Sequence, residues 1–439
     1  MPKHTKKFRH LSTEKYSNNF HKDKLQELQD KEHYSSYQED LAFAKELNIL
    51  RNDFYYQMVE KENILLIDFL YHPLDVVSGD AYTARRIDEH RTFYLLVDGM
   101  GKGLSASLTA MIMTSFVNHL IDRMLEFDSF SLDILVKESI DYIKPILLDE
   151  EALAIDYILI DNHYNKLLYA KFAMPAFLLQ NRDGSIIKIK SNNPPLSKWH
   201  DNFVIDRYNI TEINKFLFYT DGIVENSVNT GKDSYSQHIE KDFQNSLTRE
   251  ELKMKIFKKL ALQEDDLTLI FINKLDLSSV VVTQKSFETS LSTVDEANEW
   301  YTQLWSTFSN NVKDSYSANL VFTELYMNAY EHGNLAISSE QKHKMIEEDS
   351  YYDSLIVEQK NCTKQIHVTV YKIKSASSTY IITYIKDEGE GFDTHILSQI
   401  FRNSQTFNGR GVFVSRKNSM GIYYNTKGNA VLYLSKVQT

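Results

Sequence analysis

Cysteine is nearly absent from this sequence, in which Cys362 is the only one among 439 residues. A single thiol excludes an internal disulfide framework and any cysteine-rich metal site. Long apolar runs are missing as well: none approaches the roughly 18 residues that span a bilayer, and no signal-peptide core follows the N-terminus. We therefore expect a cytoplasmic protein without a membrane span.

Positive charge is also in deficit, because 49 Lys and Arg residues face 60 Asp and Glu residues, which gives a net charge of -11. An acidic chain is a poor partner for nucleic acid or for an anionic membrane surface, so we expect neither. The basic residues near the N-terminus are read as a solvated tail. The length predicts two or three domains.

Glycine and proline are lacking between residues 22 and 62, where apolar residues recur at spacings of three and four. This period predicts a helix. It is either one amphipathic helix lying on the next domain or a coiled coil that makes the protein a homodimer. Residues 1–62 are therefore assigned as a polar tail and a helical or coiled-coil linker. The apolar positions are Phe43, Leu47, Leu50, Phe54 and Met58.

Residues 63–275 alternate short β-like runs with two helical stretches, Leu104 to Leu125 and Leu132 to Ile146. Strands outnumber helices, which predicts an α+β domain with two sheets and helices outside them. The predicted strands are Ile64 to Phe69, Phe93 to Val97, Ala154 to Ile160, Lys166 to Phe172, Ala176 to Gln180, Lys215 to Tyr219 and Leu267 to Ile272.

Residues 283–439 are assigned to a second folded domain, an α/β sandwich. Helices are predicted over Thr293 to Phe308 and Tyr316 to His332, and strands over Gln365 to Lys374 and Thr379 to Lys386. A polar stretch of unassigned role, Ile337 to Lys364, separates them. The boundary near residues 276–285 reads as a linker or a strand.

Carboxylates stand at strand ends or tight turns in the middle region, at Asp80, Asp98, Asp221 and Asp265. Asp98 ends an apolar run and is followed by Gly99. Oxygen ligands without cysteine or a histidine cluster suit Mg²⁺ or Mn²⁺. Two such ions can share a carboxylate, activate water and neutralise a phosphate in in-line attack, so we expect a two-metal hydrolase.

This part of the sequence resembles the metal-dependent (PPM) serine/threonine protein phosphatases, in particular the bacterial sporulation and stress-response branch of the SpoIIE type. The resemblance is carried by residues 71–82 and by the motifs VDGMGKGLSAS, YTDGIVE and DDLT. It implies a two-sheet sandwich flanked by helices and a substrate that is a phosphorylated anti-sigma-factor antagonist of the STAS type.

The resemblance also assigns ligands. Asp80 and Asp98, with the Gly99 carbonyl, would bind the first part of the metal centre and be the catalytic carboxylates, and Asp221 and Asp265 would bind the second ion. Asp266 would be a neighbour, although the motif does not decide between it and Asp265. Lys102 would lie near the site or be a solvated lysine. The sequence departs from the family at positions 173–175, Ala-Met-Pro, where many members have Gly-His before the proline.

A second group of candidate binding residues lies in the C-terminal region. Glu324, Asn328, Glu331 and His332 fall on neighbouring helical turns and can line one side of a pocket. Asp387 follows a strand and can accept a hydrogen bond from an exocyclic amine, and the glycines after it let backbone approach a ligand. The glycines concerned are Gly389 and Gly391 and, further on, Gly409 and Gly411.

Together these motifs resemble the GHKL-type ATP-binding fold of gyrase, histidine kinases and anti-sigma-factor serine kinases. The resemblance implies Asn328 on Mg²⁺, Asp387 on adenine and the four glycine backbones around ATP. Glu324 would be the base of a kinase, with His332 as the alternative. The stretch between Asp393 and Gly409 is short for a nucleotide lid.

The leading interpretation is a switch with two opposed activities. The phosphatase would act on the antagonist, and the C-terminal domain would bind ATP and act as the opposing serine kinase or sequester a sigma factor. Alternatively, the C-terminal domain only binds nucleotide or a partner. A nucleotide cyclase or a nuclease is disfavoured, because neither explains the order of the carboxylates.

Overall fold

The computed structural model describes residues 38–60, 63–101, 103–229, 233–375, 378–394, 397 and 415–437. Helices and three antiparallel sheets alternate along them, which confirms the α+β class. The first helix, α1, covers residues 38–49.

The middle region contains twelve strands and five further helices among its described residues. The strands are β1 (Met58–Val59), β2 (Ile64–His72), β3 (Asp80–Arg86), β4 (Arg91–Gly99), β5 (Ala152–Asp161), β6 (Lys166–Phe172), β7 (Phe177–Asn181), β8 (Ile186–Ile189), β9 (Leu196–Ser197), β10 (Asp206–Asn209), β11 (Ile213–Tyr219) and β12 (Leu267–Leu275). The helices are α2 (Leu104–Glu126), α3 (Leu132–Ile143), α4 (Gly222–Glu225), α5 (Ile239–Gln244) and α6 (Arg249–Lys259), with a 3-10 turn at Tyr235–Gln237.

Two sheets face each other in this region. One has the strand order β1-β2-β12-β11-β7-β8, and the other has the order β10-β6-β5-β4-β3 with β9 beside β5. Apolar side chains from both sheets form one core, to which β2 contributes Ile67, β4 contributes Val97 and β11 contributes Phe218. Helices α2 and α3 add to that core, and α5 and α6 cover the outer face of the first sheet.

Helix α1 is shorter than its apolar period predicts. The chain leaves the helix after residue 49, and Tyr56 takes a left-handed backbone conformation with φ of 52°. Asn52 instead forms a bridge to Ala84 of β3, and Gln57 forms one to Tyr424. Leu50 and Phe54 are buried in the core of the middle region, so the apolar period reflects packing on that domain.

Helix α2 is long and apolar enough to be considered as a membrane span, with a mean hydropathy of 1.4 over its best window. Half of that window is buried inside the protein, and the helix packs against β3 and β4. Core helices pass the same test of length and composition, and α2 is such a helix in this structure.

The C-terminal region contains one five-stranded sheet with the order β13-β14-β15-β17-β16. Its strands are β13 (Val281–Glu288), β14 (Gln365–Ser375), β15 (Ser378–Asp387), β16 (Gly421–Tyr424) and β17 (Ala430–Val437). Its helices are α7 (Leu291–Ser306), α8 (Val312–Asn328), α9 (Ser339–Glu347) and α10 (Tyr351–Gln359), with a π-helical turn at Ala329–Asn334 after α8.

Both faces of this sheet are covered. Trp305 of α7 and Phe322 of α8 join a core with Ile366 on one face. On the other face, Tyr380 and Leu432 pack against residues of β1 and β2. The sheet is therefore sandwiched between its own helices and the middle region. The polar stretch 337–364 holds α9 and α10, and the second half of the stretch 276–285, read as a linker or a strand, belongs to β13.

Candidate metal centre

Asp80 and Asp98 are neighbours across an antiparallel strand pair, because β3 begins at the residue that faces the end of β4. The pairing continues beyond the strands, where the Gly99 amide donates to the Gly79 carbonyl at 3.1 Å. Every side chain from Phe93 to Val97 is fully buried. A rigid strand thus fixes Asp98 at the edge of the sandwich.

Two further turns reach the same edge. The Thr220 hydroxyl, directly before Asp221, donates to Asp80 Oδ2 at 2.7 Å. The Thr220 amide donates to the Thr268 carbonyl at 3.1 Å, which ties the end of β11 to the start of β12, where Asp265 lies. The turns that carry all four predicted aspartates therefore meet at one end of the two sheets.

The pKa of Asp98 reflects the proximity of these carboxylates. Burial raises the pKa of Asp98 to about 10, and the negative charges of Asp80, Asp221 and Asp265 add to the rise. Burial also raises the pKa of Asp80 well above its usual range, with contributions from Asp266 and Asp221. Carboxylates this close to one another remain ionised together only if a cation balances them.

The donor set fits hard divalent cations, because it consists of carboxylate oxygens and backbone carbonyls. Across the described residues, however, no three or more His, Cys, Asp or Glu side chains form a group able to hold a metal ion. Asp80 and Asp98 are nevertheless direct neighbours across β3 and β4, and like charges at that spacing repel one another unless a cation balances them.

Two glycines let the turns approach closely. A Cβ at Gly222 would lie 2.0 Å from the Asp266 carbonyl oxygen, and a Cβ at Gly99 would lie 2.8 Å from the Ala106 carbonyl oxygen. Only glycine fits at both points. They bring α4 against the turn at 265–266, and α2 against the turn that follows Asp98.

Asp266 has a different position from its neighbour. Its Oδ1 accepts a hydrogen bond from the Leu74 amide and its Oδ2 accepts one from the Gly79 amide, both at 2.7 Å. The charge of Asp265 acts on Asp98, and the charge of Asp266 acts on Asp80. These contacts favour the interpretation in which Asp266 is a neighbour that holds a loop. Lys102 lies outside the described residues.

Positions 173–175, where the sequence departs from the family pattern, include a residue with a left-handed backbone conformation. Ala173 has φ of 58°, in the left-handed region that glycine adopts without strain. Its neighbours in β6 include Lys171, whose Nζ lies 2.9 Å from Asp156 Oδ2 with both side chains fully buried. Sequence inspection did not find this ion pair, because its two members lie on different strands.

Asp387 ends β15, as the sequence predicts, and it is closely surrounded by backbone. Its Oδ1 accepts a hydrogen bond from the Gly389 amide at 2.8 Å. A Cβ at Gly333 would lie 2.4 Å from Asp387 Cγ, and a Cβ at Gly391 would lie 1.9 Å from the Lys427 carbonyl oxygen. Burial raises the pKa of Asp387 to about 6.

The helical side of the predicted nucleotide pocket is only partly as expected. Asn328 ends α8, and Glu324 lies one turn before it; both are half-buried. Glu331, expected to line the pocket, is instead fully buried and hydrogen-bonded to Lys342 of α9 and Tyr351 of α10. The π-helical turn after α8 changes the helical phase that the prediction assumed.

His332 faces the Ile337 carbonyl through its Nδ1. This contact gives it a local structural role. The two glycines predicted to surround phosphate, Gly409 and Gly411, lie outside the described residues.

The comparison with known proteins concerns the middle of the chain. Residues 88–274 match the family described as stage II sporulation protein E (SpoIIE). The phosphoserine phosphatase RsbP of Bacillus subtilis (strain 168) is 28% identical to this chain over 165 residues, which are 36% of this chain and 40% of that protein. The similarity to this family is confined to residues 88–274, less than half of the chain. The matched segment includes Asp98, Asp221 and Asp265, and Asp80 lies before it.

Solved structures of other proteins are similar to this chain at lower sequence identity. The RsbU and RsbW domains of Rv1364c from Mycobacterium tuberculosis are 12% identical, with 85% of this chain and 94% of that chain covered and a TM-score of 0.42. The SiaA-PP2C domain of Pseudomonas aeruginosa is 16% identical, with 55% and 97% covered and a TM-score of 0.45. These low scores decide nothing about function. This chain also spans only 40% of the curated relative that it matches.

Proposed function

We propose that this protein is a phosphoserine and phosphothreonine phosphatase that uses two Mn²⁺ or Mg²⁺ ions. One observation carries the proposal: Asp80 and Asp98 face each other across β3 and β4, and the turns that carry Asp221 and Asp265 meet them at the same end of the two sheets. Asp80 and Asp98 with the Gly99 carbonyl would hold one ion, and Asp221 and Asp265 would hold the other. The similarity of residues 88–274 to phosphatases supports this reaction class.

The chain's own residues prepare the site. The Thr220 hydroxyl orients the Asp80 carboxylate through its 2.7 Å hydrogen bond. Burial and the neighbouring carboxylates raise the pKa of Asp98 to about 10, and the positive charge of a bound cation would oppose that rise. When bound, the cations would supply Lewis acidity toward water and phosphate, so no nucleophilic side chain is needed.

The proposal is tested by the release of phosphate from a phosphoserine peptide by the full-length protein in MnCl2 or EDTA. We expect Asp98→Asn to lower kcat/KM by about 100-fold, or roughly 3 kcal/mol. Asp183→Asn, at a fully exposed carboxylate in the turn before β8, is the matched control and should behave as wild type. Activity in EDTA, or an active Asp98→Asn variant, would contradict the proposal.

We further propose that the natural substrate is a phosphorylated anti-sigma-factor antagonist of the STAS type. The resemblance to the sporulation and stress-response branch supports this choice, as does the description of RsbP as a phosphoserine phosphatase. Phosphorylated candidate antagonists, presented as intact proteins, should be dephosphorylated faster than peptides of the same local sequence. Equal rates would indicate that the regulator's fold is not recognised.

For the C-terminal region we propose ATP binding, with Asn328 on Mg²⁺ and Asp387 on adenine. The observation that favours it is the Asp387 carboxyl group enclosed by Gly333 and Gly389, at a strand end where wider side chains do not fit. Calorimetric titration with Mg-ATP should give binding that Asp387→Asn removes. If labelled ATP also phosphorylates the regulator and Asn328→Ala prevents it, the domain is the opposing kinase, for which Glu324 is the proposed base. If ATP binds but the regulator is not labelled, the domain is a nucleotide-binding or partner-binding module.

A further inference from the structure

The loop over residues 73–79 connects the two sheets of the middle region, because it leaves β2 of one sheet and enters β3 of the other at Asp80. Asp80 therefore stands at the junction of a strand and a loop. Its own amide donates to the Ser78 side-chain oxygen at 3.0 Å. The position of the Asp80 carboxylate depends on how the residues directly before it are held.

Glu46 of α1 holds this loop from outside the sandwich. Its side chain is only 2% exposed, and its Oε1 accepts two hydrogen bonds. The Ser78 amide donates at 2.8 Å, and the Tyr71 hydroxyl donates at 2.5 Å. The Tyr71 hydroxyl also lies 3.4 Å from the Asp80 carbonyl oxygen. One carboxylate thus contacts the end of β2, the loop and, through Tyr71, the start of β3.

Asp266 holds the same loop through the Leu74 and Gly79 amides. Two carboxylates therefore hold the loop, Glu46 through the Ser78 amide and Asp266 through the Gly79 amide directly before Asp80. Asp266 belongs to the acidic turn that the sequence motif identifies. Glu46 lies outside residues 88–274, on a helix that the sequence predicts only as a linker.

We propose that Glu46 is a positioning residue for the metal centre: it fixes the Ser78-Gly79-Asp80 turn so that Asp80 can bind a cation together with Asp98. This inference rests on the proposed function, because it assumes that Asp80 is a metal ligand. Partners that orient metal ligands have large effects on affinity even though they do not touch the ion. Metal binding by the middle region therefore requires α1 to be docked.

A purely structural role for Glu46, as an anchor for α1, makes a different prediction. Loss of such an anchor lowers stability and leaves the intrinsic affinity of the folded site for metal unchanged. Glu251 of α6 is a suitable comparison, because it is 3% exposed and also accepts hydrogen bonds from a tyrosine hydroxyl and a second donor, Tyr380 and Lys436. It contacts neither loop 73–79 nor the carboxylate cluster through these bonds.

The test is calorimetric titration of the full-length, metal-free protein with MnCl2, under conditions in which thermal unfolding shows every variant to be folded. We expect Glu46→Ala to weaken Mn²⁺ binding about tenfold. Glu46→Gln keeps an oxygen acceptor at the same place and should restore binding, and Glu251→Ala should bind as wild type does. Tyr71→Phe, which retains the aromatic ring, should weaken binding too and replaces Glu46→Ala if that variant does not fold.

Asp98→Asn separates this inference from the proposed function. If Asp98→Asn binds Mn²⁺ as tightly as wild type, the metal centre itself is wrong. If Asp98→Asn abolishes binding while both Glu46→Ala and Tyr71→Phe bind normally, only the positioning role is overturned. Equal weakening by Glu46→Ala and Glu251→Ala would likewise overturn it, since the effect would then be general.

Discussion

At the scale of single residues, the ion pair between Asp156 and Lys171 has an unusual environment. Both side chains are fully buried between strands β5 and β6, and the Lys171 ammonium also lies 4.0 Å from the centre of the Phe177 ring. Burial raises the pKa of Asp156 to about 6 and lowers the pKa of Lys171, although each partner opposes the shift of the other. The free-energy penalty of desolvating both charges therefore offsets much of the stabilisation that their mutual attraction contributes.

Removal of one partner should be much worse than removal of both. We predict that Lys171→Met lowers the free energy of unfolding by about 3–5 kcal/mol, because it leaves Asp156 buried without a partner. The double variant Asp156→Leu with Lys171→Met should lie close to wild type. Urea unfolding of the three proteins at pH 7 measures the differences. A double variant less stable than Lys171→Met would contradict this account.

Asp387 gives a residue-scale prediction about pH. Its pKa is raised from 3.8 to about 6, so its carboxylate form is lost as the pH falls through about 6. The proposed contact with adenine needs the carboxylate as acceptor. ATP affinity should therefore be constant above pH 7 and decline below pH 6. Titrations of the wild-type protein at several pH values measure this, and an ATP affinity that stays constant from pH 7 down to pH 5 would contradict the role of the Asp387 carboxylate.

At the scale of elements, α6 takes part in a polar contact between the two folded regions. Arg249 at its start is 6% exposed and lies 3.2 Å from Asp68 of β2, which also accepts a hydrogen bond from the Tyr423 hydroxyl of β16 at 3.0 Å. The positive charges of Arg249 and Arg416 keep the pKa of Asp68 below its usual value in spite of its burial. The Asp68 carboxylate therefore connects the sheet that contains β2 with the sheet that contains β16.

Loss of Arg249 should weaken the interface between the two folded regions. We predict that Arg249→Met lowers stability by about 3 kcal/mol and separates one unfolding transition into two, because Asp68 loses its nearest charge. Trp199 lies in the middle region, so the variants are made in a Trp199→Phe background. The fluorescence of Trp300 and Trp305 then follows the C-terminal region, and far-ultraviolet circular dichroism follows the whole chain. Lys253→Met, at a half-exposed position of the same helix, is the matched control. Coincident transitions with unchanged midpoints in Arg249→Met would contradict the prediction.

The elements differ in how well the sequence predicts them. Strand β4 was readily predicted because its apolar run is buried on both faces, and β6 has the predicted ends. Strand β3 was missed because it contains polar residues such as Arg85, which is 5% exposed and paired with Asp122 of α2. Such pairing is created by the fold, so no local pattern of hydrophobicity reveals it.

At the scale of the whole molecule, the carboxylate turns could be found from sequence because each is local, with an acid next to a glycine or a strand end. The contacts that support them could not be found. Glu46 and Ser78 are 32 positions apart, and their contact exists only after α1 docks on the sandwich. Local motifs therefore identify candidate ligands, whereas the residues that hold those ligands become visible only in three dimensions.

The two folded regions also share the segment that follows α1. Asn52 bridges to β3 of the middle region, and Gln57 bridges to Tyr424 of the C-terminal sheet. The Gln57 side chain donates to the Thr394 hydroxyl, shortly after the turn that carries Asp387. A single segment thus contacts both the strand that begins at Asp80 and the end of the proposed nucleotide loop. This contiguity fits a protein whose two proposed activities act on one regulator.

The central claim is that Asp80, Asp98, Asp221 and Asp265 together bind a pair of divalent ions. Its most direct test is anomalous diffraction at the manganese edge from crystals of the full-length protein grown with MnCl2. The account predicts two peaks about 4 Å apart among these four carboxylates, both absent in Asp98→Asn. Peaks elsewhere, or a well-ordered site without manganese at millimolar concentration, would contradict it.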